Sequence, residues 1–280
     1  MKPKFSNLNQ MNGVNKQNTG DRKSYREVWQ LVLLFAAFIC SYAMDKIFYA
    51  FDKGWASWLP DHPFWWDLTW LSIRLASLAI LGVVLCGKKI LFDLGLATDV
   101  FKGLGAALLF TLPLFVGLAF VSEFNSEISL YKIWDRCIQP GFYEEVLCRS
   151  FLLGLLIRRF KWGFVPAALI CALFFGAWHL YQGHNFMSSL AAFGITAMGA
   201  VWFGWLYAEW RFNAWINIGL HTFMNLSWLM FSVQGGAAGS LWANIFRMMT
   251  VAVSIWVTVK WISKKQGYAI NRDTLWINKD

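Results

Sequence analysis

Two adjacent glutamates and an arginine, Glu144-Glu145-x-x-x-Arg149, stand in a run of residues apolar enough to cross a bilayer. Two later apolar runs carry Phe175-x-x-x-His179 and His221-x-x-x-Asn225. A charged side chain at the bilayer centre costs about 2.5–3.5 kcal/mol on insertion scales, so carboxylates there need a compensating reason. Glu145 and Arg149, four residues apart, share a helix face and can pair, whereas Glu144 points about 100° away from Glu145. An ion pair that only fixes helix packing would explain Glu145 and Arg149, but it leaves Glu144 unexplained.

His179 alone reads as a packing or hydrogen-bonding histidine. The run Asn213, Asn217, His221, Asn225 is more telling, because a polar residue every fourth position makes one stripe on an apolar helix. Such a stripe must face the bundle interior or water. Hydrogen bonds between helices account for Asn213 and Asn217. Taken together, these groups suit peptide-bond hydrolysis, which needs a base to activate water and donors for the developing oxyanion. Glu144 fits the base, His179 a partner that shares or relays the proton, and His221 with Asn225 the oxyanion donors. Arg149 pairs with Glu145. One glutamate and two histidines also resemble the three protein ligands of a catalytic zinc, although the H-E-x-x-H spacing is absent. The sequence favours no cofactor and leaves a divalent metal open.

The elements that must hold these groups are membrane helices. Hydrophobic residues make up 58% of the 280 and charged residues 15%, a balance that fits a multi-span membrane protein and no ordinary soluble domain. Eight stretches have about the 17–25 residues a bilayer needs, near 28–50, 68–86, 103–121, 141–157, 164–181, 188–208, 212–233 and 241–261. The expected fold is therefore an all-α bundle of about eight transmembrane helices. With a cytoplasmic N-terminus, the segments on that side carry 18 Lys and Arg against 3 on the other. Both termini are then cytoplasmic by the positive-inside rule. The net charge of +9 is thus topology and attraction to a lipid surface, and a nucleic-acid partner is not expected. This topology puts Glu144 and His179 near the outer ends of their spans.

Residues 1–27 read as a disordered basic cytoplasmic tail, 28–262 as one polytopic domain, and 263–280 as a cytoplasmic C-terminal tail. A cleaved leader is not expected, because the first apolar run continues to full spanning length. The connection 122–139 could form an amphipathic helix in the outer interface, with Pro140 in the first turn of the next span. Trp55, Trp58, Phe64, Trp65, Trp66 and Trp70 suggest an interfacial belt. Ala192, Thr196, Ala200 and Gly204, four apart, suit close helix packing and not chemistry. None of the five cysteines forms a C-x-x-C pair, which favours packing over disulfides.

The three motifs, in order on successive apolar runs, resemble the CPBP family of intramembrane proteases, also called Abi, which includes the CAAX prenyl endopeptidases and bacterial members linked to bacteriocin processing and self-immunity. The likeness covers about Glu144–Asn225. It implies an eight-helix bundle that cleaves membrane-associated peptides, prenylated or bacteriocin-like, with glutamate-activated water in place of a nucleophilic serine. By the motif match Glu144 is the base, His179 its partner, and His221 and Asn225 the oxyanion hole, with Glu145, Arg149 and Phe175 in support. It also implies a multi-pass protein of a bacterial plasma membrane. The competing readings are a catalytically silent scaffold or immunity protein that binds a membrane partner, and a proton-coupled carrier. Complete motifs weigh against silence. No interrupted spans occur at matching positions of two halves, as a carrier would need.

Overall fold

The computed structural model describes residues 25–44, 63–233 and 238–279. The expected N-terminal tail up to residue 24, Trp55, Trp58 and the end of the first span lie outside them. The described residues form an all-α protein without strands. Its helices are α1 (Tyr25–Met44), α2 (Phe64–Asp93) and α3 (Val100–Val121), then a continuous α4 over residues 130–158. There follow α5 (Phe164–Trp178, ending in a 3₁₀ turn His179–Gln182), α6 (Phe186–Glu209), α7 (Ala214–Met230) and α8 (Leu241–Gln266).

Six of these, all but α4 and α7, are long and apolar enough to cross a membrane, and the chain is an integral multi-pass membrane protein. The count of six, against eight expected, has a physical cause. The α4 stretch carries Glu144, Glu145 and Arg149, while α7 is short and carries the asparagine–histidine stripe. These two helices are the inner ones. No residue of 139–158 or of Ala214–Met230 is exposed. A helix sheathed by other helices does not meet lipid, so its composition is free of the lipid-facing requirement.

Two local expectations are corrected. Residues 122–129 form no interfacial helix. They are stitched to the end of α7, where the Asn125 backbone N–H donates to the Met230 carbonyl (2.8 Å) and its side-chain amide to the Leu229 carbonyl (3.0 Å). Ser129 then caps α4 by accepting from the Lys132 N–H. Nor does Pro140 begin a span. It lies inside α4, directly after a π-helical segment Trp134–Ile138, whose wider turn relaxes the i→i−4 ladder that a proline cannot complete. Because α4 starts at Leu130, Glu144 stands 14 residues from either end, about 21 Å along the axis. It is therefore at mid-helix, not near an outer end.

α7 packs along α3 and against α4, and α5 packs along α6. Close approach to α4 needs Gly141, because a Cβ there would lie 2.3 Å from Thr222 Oγ1 of α7. Ala192, Thr196, Ala200 and Gly204 of α6 are all buried, as scaffolding residues should be. The largest apolar cluster joins α1, α2, α4 and α5 through Leu34, Phe38, Leu78, Leu147, Phe151 and Ala168.

Beyond α8 the chain turns at Gly267 and folds back, and residues 274–277 lie against the start of α5. The N–H groups of Phe164 and Val165 donate to the carbonyls of Thr274 and Leu275 (both 2.9 Å). The anchor is Glu209, the last residue of α6 and only 1% exposed. It accepts from Ser263 Oγ (2.7 Å) and from the backbone N–H groups of Ala269 (3.3 Å) and Ile270 (3.1 Å). Removing a buried acceptor leaves its donors unsatisfied at about 1–3 kcal/mol each. Glu209→Ala is therefore expected to release the strap. Trypsin cleavage at Arg272 in the detergent-solubilised protein should speed up, and Glu209→Gln should lie between the variant and wild type.

Candidate active site

α4 contributes both glutamates and the arginine. Its second π segment, Val146–Gly154, begins directly after Glu145 and contains Arg149. Glu145 and Arg149 form the ion pair their spacing predicts, at 3.0 Å, with side chains 1% and 2% exposed. Isolated charges buried this deeply would cost several kcal/mol each. The guanidinium is further enclosed by two rings, Phe175 of α5 at 4.2 Å and Phe203 of α6 at 5.2 Å. Phe175 thus supports the site by facing Arg149, one turn before His179.

The sequence reading treats Glu145 only as the partner of Arg149. Its carboxylate also meets α7, since Glu145 Oε1 lies 2.7 Å from His221 Nδ1. The same oxygen accepts from Arg149 as a carboxylate, so Nδ1 donates to it and the ring is held in one orientation. The other nitrogen, Nε2, then faces Glu144, 3.9 Å from its Oε2. That separation is too long for a direct hydrogen bond. Glu144 and His221 are partly open, at 17% and 13%, where Glu145 is closed. The Oε2 atoms of both glutamates are buried and have no hydrogen-bond donor among the described residues. Such acceptors are expensive unless something else meets them.

The remaining expected residues lie further out. His179 begins the 3₁₀ turn after α5, with Nδ1 2.8 Å from the Phe175 carbonyl and its ring 4.6 Å from the Phe175 ring. No hydrogen bond or ion pair joins it to Glu144 among the described residues. Asn225 donates its Nδ2 to the Arg136 carbonyl of α4 (3.1 Å). Asn217 donates to the Phe203 carbonyl (2.8 Å), and Asn213 caps α7 through the Trp215 N–H and donates its Nδ2 to the Asp99 carbonyl at the start of α3 (both 2.9 Å), so both hold helices together. The structure therefore brings Glu144, Glu145, Arg149, Phe175 and His221 into one cluster, with Asn225 one turn along α7 and His179 at its margin.

Among the described residues no three His, Cys, Asp or Glu side chains converge to hold a metal ion. Glu145 Oε1 is committed to Arg149 and His221, and His179 Nδ1 to a backbone carbonyl.

Phe203 and the His221 contact of Glu145 escaped the sequence reading. Phe203 is one aromatic among many in an apolar helix and carries no signal. The Glu145 contact is tertiary, and spacing along one helix reports only local partners.

Residues 126–227, from the α3–α4 connection to α7, match the Rce1-like family, described as Type II CAAX prenyl endopeptidase Rce1-like. No curated protein and no solved structure matches the chain. The matched stretch contains every member of the cluster, so the site region is similar to that of a CAAX-protease-type membrane endopeptidase.

Breaking a buried pair by removing one partner costs about 3–5 kcal/mol, because a charge is stranded. Arg149→Ala strands Glu145 and is expected to destabilise the protein by that order. His221→Ala leaves the ion pair intact and should cost clearly less. Detergent unfolding of the two variants, side by side, measures the difference.

Proposed function

We propose, from the premise that residues 126–227 match the Type II CAAX prenyl endopeptidase Rce1-like family, that this chain is an intramembrane endopeptidase of membrane-associated peptides or proteins. The single observation carrying the mechanism is the geometry of Glu144 and His221. An unpaired carboxylate oxygen faces Nε2 across 3.9 Å, and the far side of that imidazole is fixed by the Glu145–Arg149 pair.

In this reading a water lies between Glu144 and His221. Glu144 takes a proton from it as the water oxygen bonds to the scissile carbonyl carbon. That proton passes to the leaving amine as the C–N bond breaks. His221 keeps its Nδ1–H on Glu145 and, protonated at Nε2, donates to the oxyanion. Glu145 stays ionised and orients the imidazole, a role analogous to the carboxylate of a catalytic triad. The second oxyanion donor assigned to Asn225 draws on the Nδ2 hydrogen not given to Arg136. His179, out of direct reach of Glu144, takes part through an intervening water.

The substrates follow from the setting of the site. A carboxylate at mid-helix is reached by a chain already held at the membrane, a prenylated or bacteriocin-like peptide. Both termini in the cytoplasm fit the basic residues at or just past the ends of α2, α4 and α8, Lys88, Lys89, Arg158, Arg159, Lys260 and Lys264, and a prokaryotic plasma membrane follows from the family likeness alone.

Purified protein incubated with a diverse peptide pool and read by mass spectrometry tests the mechanism. Cuts are expected with wild type and absent with Glu144→Ala, a loss of at least 10³-fold, while the variant keeps wild-type helicity and elution volume. Equal cutting by Glu144→Ala would remove the glutamate mechanism. Cutting by neither protein would favour a silent scaffold.

A further inference from the structure

α8 turns a polar face to the bundle. Thr250, Ser254, Thr258 and Ser263 are at most 1% exposed. Trp202 and Trp210 of α6 donate their indole N–H groups to Ser254 Oγ (3.1 Å) and Thr258 Oγ1 (2.9 Å). These bonds fix the rotation of α8, and with it the face that points away from the bundle. That outer face holds a groove of about 450 Å³ lined by Ala252, Ile255, Trp256, Val259, Lys260 and Lys264. The six recur every three to four positions, which is one side of one helix, and all but Val259 are exposed. The apolar four lie within the span, and the two lysines lie toward its C-terminal end at Gln266.

Neither lysine has a structural task among the described residues, where their side chains form no hydrogen bond or ion pair. The carbonyls at the end of α8 are met by Arg211, whose guanidinium donates to those of Gln266 and Gly267. The carboxylates of this end are committed elsewhere, Glu209 to Ser263 and the strap, Asp273 to Lys279 and Asp93 to Arg158. We propose that the groove binds one anionic glycerophospholipid, its phosphate between Lys260 and Lys264 and an acyl chain along Ala252, Ile255, Trp256 and Val259. Charge selects this occupant. A lysine near the end of a span extends its ammonium toward the headgroup layer, and basic groups there attract anionic lipids. A second copy of the chain on this face would set four ammonium groups against one another in a low dielectric. The groove also turns away from the catalytic cluster, because Ser254 on the opposite face bonds Trp202, the neighbour of Phe203. It lies outside residues 126–227, and the inference does not rest on the endopeptidase reading.

The experiment is native mass spectrometry of the full-length protein, stripped of lipid in detergent and titrated with phosphatidylglycerol or with phosphatidylcholine of the same acyl chains. One phosphatidylglycerol is expected to stay bound at concentrations where phosphatidylcholine does not. Lys260→Gln combined with Lys264→Gln should weaken its binding about tenfold. Lys88→Gln combined with Lys89→Gln removes the same charge at the end of α2 and should change binding by less than about twofold. Ala252→Trp keeps both lysines, fills the apolar part of the groove and should weaken binding about fivefold. All five substituted side chains are exposed, so the variants should fold, which an unchanged elution volume verifies. Equal retention of the two lipids would overturn the proposal, and so would lysine pairs that behave alike, since only net charge would then matter. Unchanged binding by Ala252→Trp would overturn it too, leaving an anion on two lysines and no groove. A lipid-free dimer that Ala252→Trp dissociates would give the face to a second copy instead.

Discussion

One carboxylate oxygen sets the arrangement of the bundle. Glu145 Oε1 accepts from Arg149 at 3.0 Å and from His221 at 2.7 Å in a place closed to solvent. Two buried opposite charges rarely gain stability over a well-packed apolar pair, because desolvation offsets most of their attraction. What they gain is definition. The guanidinium has to be enclosed, which brings Phe175 of α5 and Phe203 of α6 to its faces. His221 is a second donor to the same oxygen, which ties α7 to α4. Four helices are thereby placed by one ion pair, and the imidazole that meets it is oriented as a consequence.

α4 can hold this pair because it is not a regular α-helix. Its two π segments, Trp134–Ile138 and Val146–Gly154, bracket the glutamates. Such segments are rare and occur preferentially at functional sites, since they loosen the backbone ladder and free carbonyls for other partners. Here the freed groups are used. Cys171 Sγ of α5 donates to the Cys148 carbonyl (3.4 Å), and Asn225 of α7 to that of Arg136 (3.1 Å). Buried Cys148 and Cys171 therefore serve as packing and a weak donor rather than as a disulfide.

The fold class and the site differ in how far the sequence discloses them. Length and composition reveal the six lipid-facing helices, because the bilayer imposes a direct apolar requirement on each. The polar residues of α4 and α7 disclose themselves by their cost, and Glu145 with Arg149 by helical spacing. What escapes is tertiary. Nothing in the spacing says that His221 chooses Glu145 over Glu144, or that His179 stays one turn away at the end of α5. Pro140 has the look of a first-turn proline, which hides the true start of α4 ten residues earlier. Only the π segment before it, which has no sequence signature, lets the helix begin at Leu130. Glu209 left a faint signal: an acidic group in the last turn of a helix opposes the helix dipole and asks for nearby donors.

The division between the two adjacent glutamates follows from where water can go. Glu145 is 1% exposed and bonded on one oxygen by two donors, so it is a fixed charge. Glu144, one residue on and turned about 100° around the helix, is 17% exposed and faces an imidazole it does not touch. A carboxylate that is partly open to solvent yet keeps one buried oxygen without a hydrogen-bond donor is costly in a purely structural role. That cost is the physical ground on which the proposed catalytic role of Glu144 rests.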